Sequence, residues 1–514
     1  MTEAMTAQAT KATPGTTALA EHTPLERQLW GAFIDGEWVT PDGADTFEVT
    51  EPSTGERLAT VVAGDAALVD RAVRSSRKAL EGWRALSPRE RGTILRQVAA
   101  EIRKHHEELG TLLTRENGKP RRDALLNDVS FAGNSFDFFA GLADTIPGEI
   151  LDQGPIEGRV IYEPYGVVAG ILPFNWPPIH FAKKSAPALV VGNTMVLKPG
   201  EQAPLTVLRL VEIANRVLPP GVLNAVPGMA AGAALAVHPR VERISFTGAT
   251  ATGRRVLQSA AEHLTFATME LGGKNALIVF PDADIDLAVR ITIESMFYNQ
   301  GEACTSTSRI LLHPSNREEF TEKFVAAAMA LKVGDGLDGG TDVGPLVDAK
   351  QRDKVLAYID TAVAEGARVV ARGEVPSDPA YAGGYWVPPT VLADVTPQST
   401  VGQEEIFGPV ALLMHYDTIE EAVEIANDTA YGLTCAMITR DVEAAYRIAH
   451  RLEAGMIFVN NYMRRAFLGA PFGGVKGSGF GRENAVETLH EFVRSKVVRI
   501  PSGKGVVPSW PPRA

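Results

Sequence analysis

The sequence predicts an α/β protein made of two lobes, each built on a mainly parallel sheet. The chain has 514 residues, which is more than one ordinary hydrophobic core can organise. Hydrophobic residues make up 45% and charged residues 22%, a composition typical of globular proteins. From residue 160 onwards, short apolar runs typical of buried strands alternate with helical segments, and the alternation restarts at residue 275. We therefore expect two αβ lobes that meet near residues 271–275.

The two ends of the chain are predicted to lack regular structure. Residues 1–28 are rich in threonine and alanine and carry no sustained apolar segment, so they match neither a secretory signal nor an arginine-rich transit peptide. Residues 501–514 contain four prolines and two glycines, which also disfavour helix and strand.

Two helices are predicted before the first parallel sheet. Apolar residues recur at helical spacing over 68–83. A second helix begins after Ser87, which opens a capping box, and is expected to run to the Asn–Gly stop at 117–118. His105 and His106 are neighbours on it and point about 100° apart, so a solvated face is expected rather than a metal site.

The later segments alternate between strand and helix. The predicted strand segments are 160–174, 193–199, 243–248 and 275–280. The predicted helical segments are 205–217, 251–261, 318–331, 353–364, 418–426 and 442–452.

Charge and cysteine content exclude several kinds of function. The formal net charge is −12 and no long Lys/Arg block offsets it, which argues against nucleic acid and anionic membranes as partners. The longest apolar runs are far too short to span a bilayer. Two cysteines give neither a disulfide framework nor a metal site, and unpaired thiols favour a reducing, cytoplasmic compartment.

Cys304 is the candidate nucleophile. It lies in YNQGEACTSTS among small and polar residues, whereas Cys435 lies in an apolar run and is interpreted as a small core residue. A thiol attacks only as its thiolate, which nearby cations or backbone N–H groups must favour. Taken alone, Cys304 is weak evidence for catalysis, because most single cysteines are merely buried.

Two turns at predicted strand ends are candidates for a dinucleotide site. FTGATATG at 246–253 leads from a strand into a helix, and its glycines let the backbone approach a phosphate. LKPGE at 197–201 offers a lysine and a glutamate to an adenosine ribose, and the glutamate would repel a 2′-phosphate. An ordinary βα turn and a solvated charge pair are the structural alternatives.

Two further residues could serve acyl chemistry. Asn175, in LPFNWPP, could donate its amide hydrogens to an oxyanion, or it could merely bond its own turn. Glu270, in ELGGK at the predicted seam between the lobes, could act as a general base, or it could be a surface residue ahead of a turn.

Together these motifs resemble the aldehyde dehydrogenase superfamily over about residues 29–500. PFNWP, KPGE, FTGATATG, ELGGK, GEACTSTSR, EEIFGPV and PFGGVKGSGFGRE occur in that family's order. The resemblance implies two Rossmann-like lobes (cofactor and catalytic domains) plus a small β oligomerisation arm, and hence a homodimer or homotetramer. The implied limits are 29–142 and 166–272 for the NAD-binding domain, 273–480 for the catalytic domain, and 143–165 with 481–500 for the arm.

The resemblance also implies a reaction, in which an aldehyde is oxidised to its acid with NAD, or NADP, as hydride acceptor. Cys304 would attack the carbonyl, while the Asn175 amide and the Cys304 backbone N–H would hold the oxyanion. Glu270 would activate water to release the acid, with Lys184 and Glu483 helping to move the proton. Members that transfer the acyl group to coenzyme A usually lack this glutamate, so hydrolysis is expected.

The cofactor residues follow from the same resemblance. The adenosine ribose would lie on Lys198 and Glu201, and the pyrophosphate on the turn at Gly248, Ala249 and Gly253. The remaining implied residues are Leu172, Pro173, Phe174, Gly232, Phe246, Thr247, Leu271, Glu405 and Phe407. Ala249 departs from the serine that the family often has there, so we expect weaker cofactor binding or compensation by Thr250 or Thr252.

The substrate is the least determined part of the interpretation. The residues implied to line its tunnel are Trp176, His180, Lys183, Glu302, Ala303, Thr305, Tyr462, Arg464, Arg465 and Phe467. Four of them are basic, which leads to the hypothesis of an anionic aldehyde such as a semialdehyde. The aromatic members suit an aromatic or aliphatic aldehyde equally well.

Two other functions stay open at this point. A thiol hydrolase would need a histidine beside Cys304, and the nearest in sequence is His313. A non-catalytic scaffold of the same fold would be expected to lose Cys304, Glu270 or Asn175, and all three are present.

Overall fold

The structure is a computed structural model that describes residues 25–462 and 467–507. Its strands are β1 Leu29–Trp30, β2 Ala32–Ile34, β3 Glu37–Val39, β4 Thr46–Thr50, β5 Arg57–Val62, β6 Glu149–Gln153, β7 Ile156–Pro164, β8 Val167–Ile171, β9 Thr194–Lys198, β10 Leu223–Ala225, β11 Arg243–Thr247, β12 Phe266–Glu270, β13 Ala276–Val279, β14 Arg309–Leu312, β15 Arg368–Arg372, β16 Thr390–Ala393, β17 Val410–His415, β18 Thr434–Ile438, β19 Met456–Val459, β20 Gly479–Phe480 and β21 Val493–Pro501. Its α-helices are α1 Ala66–Ala85, α2 Pro88–Lys104, α3 His106–Asn117, α4 Arg121–Asp123, α5 Ser130–Gly141, α6 Pro177–Val190, α7 Leu205–Ala214, α8 Met229–Ala236, α9 Thr250–Ala260, α10 Ile285–Phe297, α11 Arg317–Met329, α12 Ala349–Ala364, α13 Thr400–Gln403, α14 Ile419–Asn427 and α15 Val442–Ala449. The shorter turns of helix are the π-helical Ala124–Val129 and the 3₁₀ segments Ala261–His263, Tyr298–Gly301, Pro379–Tyr381, Lys476–Ser478 and Val486–Phe492.

The first large sheet has eight strands in the order β20-β12-β11-β8-β9-β10-β2-β3. The five strands from β12 to β10 are parallel to their neighbours, whereas β20, β2 and β3 pair antiparallel at the margins. Because parallel strands end at one edge of a sheet, the loops that follow β12, β11, β8 and β9 are brought together there.

The second large sheet has seven strands in the order β15-β16-β17-β14-β13-β18-β19. All its neighbouring strands are parallel except β15, which pairs antiparallel with β16. It begins at Ala276, one residue after the predicted restart of the alternation. The predicted α/β class with two mainly parallel sheets is therefore confirmed.

Hydrophobic cores cover both faces of each large sheet. In β13, Ala276 and Ile278 belong to one core while Leu277 and Val279 belong to another, as the period of two in a strand requires. In β8, Val168 and its neighbour Val167 likewise face different cores. Strands buried on both faces read as continuous apolar runs, which explains why the sequence marks them so clearly.

Two small sheets complete the described fold. One has the order β1-β5-β4. The other, β21-β7-β6, joins the segment between α5 and β8 to the last described strand. The second coincides with the segments assigned to the oligomerisation arm. The domain limits and the oligomeric state stay predictions, and β20, which was assigned to the catalytic domain, pairs with β12 of the first large sheet.

Some helix predictions were wrong in detail. The single helix expected from Ser87 to residue 117 is two helices, because the chain departs from helical backbone angles at His105. Its capping box at Ser87 is present. His105 and His106 are half-buried rather than solvated, and their ring nitrogens contact Arg216 and the carbonyl oxygen of Leu125.

The chain ends are described only in part. Residues 1–24 and 508–514 lie outside the described residues, so the predictions for them are not addressed by the structure. Pro501 closes β21, contrary to the expectation that regular structure stops before it. Within the described ranges, no helix is both long enough and apolar enough to cross a bilayer.

Candidate active site

The candidate site lies beside the carboxyl edge of the first large sheet. Glu270 is the last residue of β12 and pairs with Thr247 at the end of β11. The Gly248 N–H donates to the carbonyl of Glu270 at 3.0 Å, and the Leu172 N–H donates to the carbonyl of Lys198 at 2.9 Å. These bonds join the ends of β11 and β12 and the ends of β8 and β9, and because β8 pairs with β11 the four strand ends form one group.

Cys304 follows a tight turn after α10. Asn299 and Gln300 have left-handed backbone angles, with φ of 55° and 56°, and this turn reverses the chain towards β14. The Asn275 amide nitrogen donates to the carbonyls of Cys304 and Ser306, each at 2.8 Å. A Cβ atom at Gly273 would collide with the Cys304 carbonyl, so glycine is required at that position of ELGGK.

Asn175 lies directly beside the cysteine loop. Its amide nitrogen donates to the carbonyl of Glu302 at 3.0 Å, two residues before Cys304. Its own carbonyl accepts from the buried Lys119 ammonium at 2.9 Å. Because an amide nitrogen carries two hydrogens, the second remains for a ligand near the thiol.

Glu270 and Glu483 form a buried carboxylate pair with Lys183 and Lys184. The Lys184 ammonium donates to Glu483 Oε1 at 2.9 Å and to Ser245 Oγ at 3.0 Å, while the Lys183 ammonium lies 3.6 Å from Glu483 Oε2. Burial and the charge of Glu483 raise the pKa of Glu270 well above its usual value. Burial alone would also raise the pKa of Glu483, but the two lysines outweigh it and lower that pKa.

A cavity of about 440 Å³ opens onto the Cys304 thiol. Its lining residues are Trp176, Ile179, His180, Lys183, Cys304, Thr305, Gly455, Met456, Ile457, Phe458, Asn461, Tyr462, Phe467, Ala470, Pro471, Phe472 and Asn484. Cys304 is half-buried, whereas Cys435 is fully buried in β18, as predicted. The thiol is therefore placed where a small molecule can reach it.

Most of the predicted tunnel residues are on this cavity wall, but not all. Glu302 and Ala303 are buried and do not line it. The Glu302 carboxyl instead accepts from the Val347 N–H at 3.2 Å, and burial raises its pKa well above the usual value. Arg464 and Arg465 lie outside the described residues.

The predicted cofactor residues gather at the same sheet edge. The helix α9 begins at Thr250 without a side-chain cap, because Ala249 precedes it, so its first N–H groups face outward. Lys198 and Glu201 form an ion pair on the neighbouring loop, and Gly232 on α8 packs against the stem of Lys198. A helix N-terminus suits a pyrophosphate and an ion pair suits ribose hydroxyls, so these residues fit a dinucleotide.

Glu405 and Phe407, which the resemblance assigns to the nicotinamide half of the cofactor, contact the same group of loops. Glu405 Oε1 accepts from the Gly273 N–H at 2.9 Å, which joins it to the ELGGK turn. Phe407 has a left-handed backbone, with φ of 61°, and its ring meets that of Phe174 edge to face at 5.8 Å. The predicted residues Pro173, Phe246 and Leu271 belong to the same sheet edge and the loops that leave it.

Sequence reasoning missed two residues that hold this site in place. Asn275 was interpreted only as the start of a strand, although it fixes the peptide of Cys304. Lys119 was not singled out, although its ammonium donates to Asp128 Oδ1 at 2.8 Å and lies 4.1 Å from the centroid of the Trp176 ring. Their partners lie far away in sequence, so no local pattern could have indicated either role.

Comparisons with known proteins agree with this geometry. The family model described as "Aldehyde dehydrogenase family" matches residues 38–498. "Aldehyde dehydrogenase citD" of Monascus ruber is 47% identical over 481 residues, which are 93% of this chain and 96% of the relative.

Two solved structures give the same result. PnpE in complex with nicotinamide adenine dinucleotide has a TM-score of 0.90 and 41% identity, and the match covers 93% of this chain and 99% of PnpE. An E. coli NADP-dependent enzyme has a TM-score of 0.89 and 37% identity over 92% of this chain and 98% of its own. On the combined sequence, site and structural similarity, the chain belongs to the aldehyde dehydrogenase family.

Proposed function

We propose that this protein oxidises an aldehyde to its carboxylic acid with NAD as hydride acceptor, through a thioester on Cys304. The carrying observation is that the Cys304 thiol opens onto a cavity, while the Asn175 amide bonds the loop that carries this cysteine. Glu270, buried at the end of β12 with a raised pKa, supplies a carboxyl group that suits acyl chemistry. NAD, when bound, accepts the hydride from the aldehyde carbon.

The thiolate of Cys304 adds to the aldehyde carbon and the carbonyl becomes an oxyanion. The second hydrogen of the Asn175 amide and the Cys304 backbone N–H stabilise that charge. When the hydride leaves, the carbonyl re-forms as a thioester. An acyl group at this position is then ready for attack by water.

Glu270 removes a proton from that water. Its Oε1 is buried and has no hydrogen-bond partner among the described residues, so it is the oxygen on which a water would be held. Hydroxide adds to the thioester carbon, the C–S bond breaks, and the acid leaves with the Cys304 thiolate restored. The Glu483 carboxylate, which accepts a hydrogen bond from the Lys184 ammonium, adjoins Glu270 and relays the released proton towards solvent.

NAD would be held at the sheet edge by residues of the first large sheet. Lys198 and Glu201 would hold the adenosine ribose, and the uncapped start of α9 would hold the pyrophosphate. The Glu201 carboxylate would repel the 2′-phosphate of NADP, which supports NAD as the preferred acceptor.

For the substrate, we favour a neutral aromatic or aliphatic aldehyde over a semialdehyde. Lys183 directs its charge at Glu483, and burial beside Lys183, Lys184 and Lys119 lowers the pKa of His180 well below its usual value. Neither residue therefore offers a substrate carboxylate an unpaired cation, and the remainder of the cavity wall is largely apolar.

A thiol hydrolase is less well supported. His313 bonds Ser315 and does not line the cavity. His180 does line it, but neither of its ring nitrogens has a hydrogen-bond partner among the described residues, so it is not bonded to the thiol as an activating base would be.

The test is NADH formation, followed by absorbance, over a panel of benzaldehyde, hexanal and succinate semialdehyde. We expect turnover that Cys304→Ala abolishes and that Cys435→Ala, at the other cysteine, retains. Faster turnover of the semialdehyde than of the two neutral aldehydes would contradict the substrate proposal. No turnover of any aldehyde with NAD binding intact would favour a non-catalytic scaffold.

A further inference from the structure

Lys183 stands between the cavity and the buried carboxylate pair. It precedes Lys184 on α6, and neighbouring positions on a helix point about 100° apart, so the two lysines reach Glu483 from different sides. Lys184 bonds Oε1, and Lys183 lies nearest to Oε2, which has no hydrogen-bond partner among the described residues. Both lysines are at least 95% buried.

The Lys183 ammonium is held on its other side by an aromatic ring. It lies 3.5 Å from the centroid of Phe472, whose backbone pairs with that of Glu483 through two hydrogen bonds. A cation over a ring face is stabilised there by the ring's quadrupole. The ammonium is thus directed towards the carboxylates, although its stem forms part of the substrate cavity.

Lys183 supplies one of the two buried ammonium groups beside the two buried carboxyl groups. Glu270 and Glu483 are two buried carboxyl groups, and Lys183 and Lys184 are the two buried ammonium groups beside them. Arg482 is a further charged group that acts on Glu270, but it is only partly buried and its guanidinium donates to the carbonyls of Gly474 and Gly481. Without Lys183, two buried carboxylates would share one buried ammonium, which is unfavourable for the ionised pair.

We infer that Lys183 is a positioning residue that supplies the counter-charge Glu270 needs in order to ionise beside Glu483. The inference rests on the proposed function, because it assigns Lys183 to the hydrolytic half-reaction for which Glu270 is the base. Lys183 would then act through Glu270 rather than by binding a carboxylate of the substrate.

A clear consequence follows for the pH dependence of thioester hydrolysis. An opposite charge within about 4–6 Å lowers a carboxyl pKa by roughly 1–3 units. Burial and Glu483 raise the pKa of Glu270, whereas Lys183, Lys184 and Arg482 lower it. In Lys183→Met the pH midpoint of hydrolysis should therefore move upward.

The experiment follows a single turnover with NAD and hexanal at a series of pH values. At each pH the reaction is quenched with acid, and the decay rate of the acyl-enzyme is measured by intact-protein mass spectrometry. Lys183→Met is compared with Lys183→Arg, which keeps the charge, and with Lys323→Met, which removes one positive charge from an exposed site on α11. Glu270→Gln identifies the part of the pH–rate profile for acyl-enzyme hydrolysis that reports ionisation of Glu270. Lys183→Gln replaces the methionine variant if that variant does not fold.

We expect the upward shift in Lys183→Met, a midpoint near wild type in Lys183→Arg, and no shift in Lys323→Met. An unshifted midpoint in the folded neutral variant, Lys183→Met or its replacement Lys183→Gln, would overturn the inference while leaving the dehydrogenase proposal intact. Failure of the wild type to form any acyl-enzyme would instead overturn the proposed function.

Discussion

Replacement of Asn175 by alanine removes the proposed side-chain donor to the oxyanion. Of the two hydrogens on its amide nitrogen, one is committed to the carbonyl of Glu302 at 3.0 Å. The other is the only one that can serve the reacting oxygen. Asn175→Ala therefore deletes one donor to a developing charge, which typically lowers the rate by about 10²–10³, or about 2.7–4 kcal/mol of transition-state stabilisation.

The stability of the loop should change little in this variant. The carbonyl of Glu302 also accepts from the Asn299 amide at 3.0 Å, so it keeps a partner when Asn175 is lost. Lys119 still donates to the backbone carbonyl of residue 175, since that group is independent of the side chain. The loss of rate is thus separable from a loss of structure.

The assay is the rate of the first turnover of NADH formation, because steady-state turnover can be limited by later steps. Asn461→Ala is the matched control, since Asn461 lines the same cavity and bonds the carbonyl of Val459. We expect the control to stay close to wild type. A loss of less than about tenfold in Asn175→Ala, with the fold and NAD binding intact, would refute Asn175 as the oxyanion donor.

Two further changes have directional outcomes. His180→Met should raise the apparent melting temperature at neutral pH, because it removes a buried imidazole without a protein partner in the described structure, and such groups typically cost about 1–3 kcal/mol. Burial lowers the pKa of His180 in the folded protein. Wild type should therefore lose stability as the pH falls below about 6.5, and the variant should lose less. If the melting temperatures of the two proteins depended on pH in the same way, this prediction would be wrong. Glu201→Gln should shift the cofactor preference towards NADP, because the carboxylate that repels the 2′-phosphate is gone while Lys198 remains. The control is Glu262→Gln, on the 3₁₀ turn after α9. An unchanged ratio of kcat/KM for NAD and NADP in Glu201→Gln would contradict this prediction.

Sequence reasoning succeeded where the residues that form a feature are close together in the sequence. Strands such as β8 and β13 are buried on both faces and therefore form short apolar runs. The capping box at Ser87 involves residues three apart and was predicted correctly. The break at His105 was missed because the surrounding sequence retains helical periodicity, and only packing of the separate helices α2 and α3 reveals it.

The sequence by itself determined the parallel α/β class, the family and the candidates Cys304, Asn175 and Glu270, because each lies in a motif of consecutive residues. Only the tertiary structure decided how side chains far apart in sequence meet. It buried Glu302 against Val347, and it directed Lys183 at Glu483, 300 positions later in the chain. The energetics of a buried charge depend on the groups within a few ångströms of it, and that neighbourhood exists only once the chain has folded.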